Sequence, residues 1–148
     1  TECMLSNFAH TPFELDGVRY ESIEGFWQSI KFPESSEDRI KTAGLAGGEA
    51  KKAGKKARDA REIEYQGRKI EVGSTEHHEL MKRAVKAKLE QNPSVLKLLL
   101  STGDKQITHV LKTPDGRILP DSKTISGALF SQILMDLREV FKQEKKEY

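Results

Sequence analysis

The chain has little of what many enzyme classes need. Its one cysteine, Cys3, excludes an internal disulfide and a multi-cysteine zinc site and fits a reducing compartment. Cys3 lies near an end with no evident base beside it, so it is not read as a nucleophile. No run of about 18 apolar residues is present, nor a signal-peptide pattern, so a cytoplasmic location without a membrane partner is expected. The segment Ala43-Gly44-Leu45-Ala46-Gly47-Gly48 lacks both the lysine spacing and the preceding strand of a phosphate-binding loop. There is no serine nucleophile elbow and no His-Glu-x-x-His. His77 and His78 are adjacent, so they point to different helical faces and cannot chelate as an i,i+4 pair. Neither a metal nor a cofactor is expected. With 25 basic and 23 acidic residues the net charge is +2, too balanced for a whole-chain nucleic-acid footprint. Any such contact has to come from a local patch.

What the chain does have is a dense stretch from Tyr20 to Phe32, YESIEGFWQSIKF, holding the lone tryptophan, Trp27. Ile23, Phe26, Trp27 and Ile30 recur at i, i+3, i+4 and i+7, the spacing of one helical stripe. Glu24, Gln28 and Lys31 recur at i, i+4 and i+7 on a neighbouring face. Ser22 suits the N-cap, and Pro33 disfavours helix at Phe32, so a helix over 22–32 is expected. A carboxylate, an amide and an ammonium beside a tryptophan can hold a polar ligand; the same pattern also describes a solvated surface strip.

Around this stretch the 148 residues read as one domain. The chain opens on Thr1 without a methionine and is read as lacking a short N-terminal segment. Residues 1–16 look extended, Asp16-Gly17 signals a hairpin, and Val18 and Tyr20 continue it. Ser35 or Ser36 caps a short helix over Glu37–Ala43, stopped by Gly44. Between Glu49 and Arg61 six basic residues face two acidic ones, with Ala50, Ala53, Ala57 and Ala60 at helical spacing on an inner face. This segment is either a solvated basic face or a phosphate-facing edge. Ile63, Tyr65, Ile70 and Val72 flank Gln66-Gly67 as a second hairpin. Ser74 caps a long helix with Leu80, Met81, Ala84, Val85 and Leu89 as its buried stripe. A short apolar helix over Val95–Leu100 ends at Thr102-Gly103. Ile107–Leu111 alternates as a strand, Pro114-Asp115-Gly116 turns, and Arg117–Leu119 returns. In the polar loop 120–126, Asp121, Ser122 and Thr124 either face a ligand or cap the last helix. That helix carries Leu129, Phe130, Ile133, Leu134, Leu137, Val140 and Phe141 on one side.

Leu5-Ser6-Asn7-Phe8, Leu15-Asp16-Gly17, Ser22-Ile23-Glu24-Gly25-Phe26-Trp27-Gln28 and Lys31-Phe32 together resemble the opening of the NADAR family, the YbiA-like proteins. The likeness continues through the Ala-Gly-Lys stretch at Gly54, Met81…Ala84-Val85…Lys88, Leu99–Gly103 and Leu134-Met135…Arg138, so it spans nearly the whole chain in order. It departs from the family at Val72-Gly73, where many members have Asp-Trp, and at His109, where they have a glutamate. The usual Trp-Gly-x-Gly is replaced by the Asp115-Gly116-Arg117 and Pro120-Asp121-Ser122 region, which marks a divergent branch.

The resemblance implies an α+β fold, a mostly helical single domain over 1–148 around a small β-sheet. It implies a hydrolase, an N-glycosidase acting on ribosylated bases. The leading substrate is ADP-ribose on guanine in nucleic acid, in a DNA-repair or antitoxin-like role. The alternatives are ribosylamino-pyrimidine phosphates of riboflavin biosynthesis as small substrates, and a non-catalytic ADP-ribose-binding module. Carried across by position, Glu24 matches the main catalytic carboxylate, and Asn7, Phe8, Trp27, Gln28 and Lys31 match pocket positions. Cleavage of an N-glycoside passes through an oxocarbenium-like state, so Glu24 is expected to stabilise that charge or activate water. His109 is expected to protonate the departing base, with Asp115 or Asp121 as alternatives. Trp27 or Phe8 is expected to stack on a ring, and Lys31, Lys55, Lys56 and Arg58 to hold phosphates, with Asp115, Ser122 and Thr124 completing the binding set.

Overall fold

The computed structural model describes residues 4–57, 60–107 and 127–146. They gather into two compact units, Thr1–Leu96 and Lys97–Tyr148.

In the first unit, β1 (Phe13–Leu15) and β2 (Val18–Tyr20) pair antiparallel, with Phe13 opposite Tyr20 and Leu15 opposite Val18. The turn uses Asp16 and Gly17 at φ 50° and 83°, the two left-handed positions that a tight hairpin turn requires. A second hairpin, β3 (Glu62–Tyr65) and β4 (Arg68–Glu71), turns the same way on Gln66 and Gly67 at φ 50° and 77°. Among the described residues the strands form these two separate two-stranded sheets, and helices supply the rest of an α+β fold.

The helix α1 (Ile23–Ser29) sits at the centre of the unit and packs on α2 (Glu37–Ala43), α3 (Gly47–Ala53) and α4 (Thr75–Gln91). Phe26, fully buried, meets Tyr20 edge-on at 4.9 Å, Phe13 at 6.2 Å and Tyr65 at 6.2 Å. One side chain of α1 thus ties both hairpins together, and each such ring pair adds about 0.5–1.5 kcal/mol to simple burial. Ser22 caps α1 by accepting from the Gly25 N–H at 2.8 Å, and its hydroxyl donates to the Leu45 carbonyl at 3.0 Å. A methyl group at Gly25 would overlap that same carbonyl, so glycine permits the close approach of α1 to the α2–α3 loop.

The helix is shorter than the expected 22–32 span. It closes at Ser29 with Ile30 as C-cap, and the Phe32 N–H turns back to the Ser29 carbonyl. The basic segment also departs from expectation. The α-helix stops at Ala53, and Gly54–Ala57 is a 3₁₀ turn. Ala50 is fully buried, whereas Ala53, Ala57 and Ala60 are only half-buried. Glycine disfavours continued α-helix. The backbone at Gly54 also lies directly against the Gln28 side chain.

Ser36 is the cap of α2, and Ser74 caps α4 through the His77 N–H at 3.1 Å. The buried stripe of α4 is Leu80, Met81, Ala84, Val85 and Leu89, extended by His77, Ala87 and Lys88. Its C-terminal end clamps the first hairpin: the Gln91 amide bonds both the N–H and the carbonyl of Glu14, and Asn92 donates to the Pro12 carbonyl at 2.8 Å.

The helix α5 (Pro93–Ser101) spans the boundary between the units. In the second unit α6 (Gly127–Lys146) buries Phe130, Ile133, Leu134, Leu137 and Phe141. Val140, expected on that side, is 39% exposed. Arg138 and Lys142 tie α6 to the turn 102–105, donating to the carbonyls of Lys105 and Gly103, both at 2.8 Å. No helix among the described residues is long and apolar enough to cross a membrane. The expected strands at 107–111 and 117–119 lie, apart from Ile107, outside the described residues.

Candidate functional site

The three polar residues singled out on α1 form a continuous hydrogen-bonded line. The Gln28 amide nitrogen donates to Glu24 Oε1 at 2.8 Å, and Lys31 Nζ donates to Gln28 Oε1 at 2.8 Å. Only this orientation of the Gln28 amide offers a donor to the carboxylate and an acceptor to the ammonium. Lys31 lies beyond the helix end, and its chain curls back to reach Gln28. Gln28 is 6% exposed and Glu24 half-buried, so this face is not a solvated surface strip.

Burial raises the Glu24 pKa above the ordinary carboxylate value; the Gln28 hydrogen bond and the charges of Lys31 and Lys51 pull the other way. Lys31 is displaced in the opposite direction: burial lowers its pKa, and Glu24 offsets part of that. A carboxylate with a raised pKa is a better proton acceptor than an ordinary one.

Trp27 lies beside this line, with Lys31 Nζ 4.6 Å from the centre of its ring. On the indole packs the imidazole of His77, 4.8 Å away and tilted by 35°. His77 is fully buried, and burial, with His78 and Lys31 adding to it, lowers its pKa to about 4. Its Nδ1 accepts the Gly73 N–H at 2.9 Å, so the ring is neutral with its proton on Nε2. Nε2 has no hydrogen-bond partner among the described residues.

The Ser6–Phe8 segment is held against the start of α1. The Asn7 carbonyl accepts the Glu24 N–H at 2.9 Å, and the buried Lys88 donates to the Ser6 carbonyl at 3.0 Å. Asn7 is 7% exposed, yet its side-chain amide makes no hydrogen bond with the described residues. Phe8 is half-buried beside Gly47 at the start of α3. Gly54 fixes the far side: a methyl there would collide with the Gln28 amide.

Of the sequence-derived candidates, the structure gathers Asn7, Phe8, Glu24, Trp27, Gln28 and Lys31 around the start and one face of α1. Lys55 is exposed on the 3₁₀ turn that touches Gln28, and Lys56 pairs loosely with Asp38 at 3.7 Å. His109, Asp121, Asp115, Ser122, Thr124 and Arg58 lie outside the described residues. The sequence reading missed His77 as a neighbour of Trp27. The signal was present, since His77, Leu80, Met81 and Ala84 repeat the i, i+3, i+4, i+7 stripe that identified the buried face of α4. No cluster of three or more potential metal ligands occurs among the described residues. A cavity of about 560 Å³ opens elsewhere, between the hairpins and α2, and Glu24 is not among its lining residues.

Comparison with known proteins agrees with this architecture. The chain matches the solved NMR structure of the E. coli protein YbiA with a TM-score of 0.68 over 97% of this chain and 80% of that one, at 23% identity. It is 30% identical over 140 residues to an uncharacterized 17.1 kDa protein of the Gp30-rIII intergenic region of Enterobacteria phage T4, covering 93% of this chain and 90% of that protein. The family model described as bacteriophage protein GP30.3 matches residues 1–139, and the chain belongs to that family.

Proposed function

We propose that the protein is an N-glycosidase that hydrolyses the bond between a ribosyl C1 and a base nitrogen, with ADP-ribose on guanine in nucleic acid as its leading substrate. The observation that carries the reading is the Glu24 carboxylate: half-buried, raised in pKa by that burial, and oriented by Gln28 and Lys31 beside the only tryptophan. Cleavage develops positive charge at C1. An ionised carboxylate close to that carbon stabilises the charge and accepts a proton from the attacking water. The C–N bond breaks, water oxygen bonds C1, and the base leaves with its nitrogen protonated. His109, or alternatively Asp121 or Asp115, supplies that proton in this proposal. Phe8, half-buried, offers a face for stacking, and Asn7 an amide with no hydrogen bond to the described residues. Trp27, 7% exposed with His77 packed on its ring and Lys31 over it, shapes the site rather than presenting an open face. The exposed Lys51, Lys52 and Lys55 on α3 and the turn after it favour a phosphate-rich substrate over a small neutral one.

Two substrates separate this reading from its small-molecule alternative. An oligonucleotide bearing ADP-ribosyl guanine and a ribosylamino-pyrimidine phosphate are each incubated with the protein, and the free sugar product is quantified. Faster turnover of the oligonucleotide is expected. Preference for the pyrimidine phosphate would reverse the substrate assignment, and binding of both without cleavage would reduce the protein to a binding module.

A further inference from the structure

The cavity of about 560 Å³ has the size of a small-molecule site and shares no residue with the Glu24–Gln28–Lys31 line. Its wall combines apolar and donor groups. Tyr20, Tyr65 and Ala43 form buried parts of it, and Ile40 and Val18, 70% and 47% exposed, add unusually exposed apolar surface. The carboxylates along the wall are engaged. Asp16 accepts from Arg83 at 2.8 and 3.0 Å and from the Tyr65 hydroxyl. Glu21 binds Arg19 at 3.0 Å and faces His10 at 3.5 Å. Glu34 Oε1 accepts the Gly67 N–H at 2.9 Å.

Arg39 is different. One terminal nitrogen donates to the carbonyls of Phe32 and Glu64, at 2.9 and 2.8 Å, which fixes the guanidinium plane. Its other terminal nitrogen and Nε have no partner among the described residues, and no carboxylate pairs with it there. Those two nitrogens form the side-on fork that takes a carboxylate through two parallel hydrogen bonds. The Tyr20 hydroxyl, whose ring lines the same cavity, also has no hydrogen-bond partner among the described residues. The geometry points to a second ligand site here, for a small monocarboxylate with a compact apolar body: the carboxylate on Arg39 and Tyr20, the body against Ile40, Val18 and Ala43. A monoanion fits better than a phosphate dianion because, among the described residues lining the cavity, Arg39 is the one cation without a carboxylate partner, and the Glu34 carboxylate shares the wall.

The probe is 3-phenylpropionate, titrated into the full chain while methyl NMR signals of Val18, Ile40 and Ala43 are followed, with 3-phenylpropionamide and phenyl phosphate as comparisons. Saturable shifts at those methyls with the carboxylate are expected, at least about tenfold weaker binding of the amide, and no gain with phenyl phosphate. Arg39→Gln should abolish the response. Because that change also removes two backbone contacts, Ile40→Glu serves as the second variant: it is exposed, leaves the fold intact and repels an anion. Glu24→Gln should bind the probe like wild type, which separates this site from the proposed glycosidase site. An unchanged response to the amide, tighter phenyl phosphate, retained binding in folded Arg39→Gln or in Ile40→Glu, or no shift at these methyls would overturn the assignment.

Discussion

Acidification should weaken this protein through one buried imidazole. His77 is neutral in the folded chain, with its Nδ1 occupied by the Gly73 N–H and its ring packed on Trp27. Its folded pKa is lowered to about 4, against 6.5 for an unperturbed histidine, chiefly by burial. Above pH 6.5 neither folded nor unfolded histidine carries the proton, so the group contributes nothing to pH dependence. Between 6.5 and about 4 the unfolded chain binds a proton that the folded chain refuses, and stability falls with pH. At roughly 1.4 kcal/mol per pKa unit the full displacement corresponds to about 3 kcal/mol, a large part of a typical domain's stability. Below about pH 4 the loss levels off. Glu24 works in the opposite sense, since a carboxyl with a raised folded pKa binds its proton earlier in the native state. The clean measurement is therefore a difference. His77→Phe keeps a ring against Trp27 and removes the titration; losing the acceptor for Gly73 costs it about 1 kcal/mol at pH 7. Urea unfolding of both proteins, followed by Trp27 fluorescence at pH 7, 6, 5 and 4, should show the wild-type advantage shrinking and reversing, by about 3 kcal/mol in all. Parallel pH profiles would refute the buried neutral imidazole.

Other perturbations test the packing and the tuning of the site. Gly25→Ala should destabilise by about 1–3 kcal/mol in chemical denaturation, because its methyl would press on the backbone carbonyl of Leu45, which cannot rotate away. Gly54→Ala should displace the Gln28 amide, lowering stability by a similar amount and breaking the hydrogen bond to Glu24; a wild-type Tm would show that the close approach is absent in solution. Lys31→Met removes a charge that lowers the Glu24 pKa, so the acid limb of the cleavage profile should move to higher pH. An acid limb that stays in place would mean a different group titrates.

The hairpins, the caps and most helix ends were legible in the sequence because each rests on local chemistry. Asp16-Gly17 and Gln66-Gly67 can adopt left-handed angles, and Ser36 and Ser74 can cap. The Glu24–Gln28–Lys31 alignment was legible from helical spacing alone, and the structure turns it into a hydrogen-bonded line. What spacing did not reveal depends on contacts distant in sequence. The helix carrying the basic segment ends at Gly54, where the chain meets Gln28, 26 positions earlier. The stacking of His77 on Trp27 needs α4 to pack across α1, whereas the sequence reading weighs His77 and His78 only as an i,i+4-type metal pair and rejects that because they are adjacent. Val140 sits at the margin of the α6 stripe, where periodicity does not separate buried from exposed. The cavity beside Arg39 is assembled from both hairpins and α2, so no single segment announces it.

The central claim, that the Glu24 carboxylate drives cleavage at a sugar C1, is tested most directly by comparing wild type with Glu24→Gln on an ADP-ribosyl guanine oligonucleotide under single-turnover conditions. The amide keeps the Gln28 contact and relieves a partly buried charge, so the variant should unfold at or near the wild-type urea midpoint. Its rate of sugar release should fall by at least about 10²-fold. A folded Glu24→Gln that releases ADP-ribose at the wild-type rate would contradict the account.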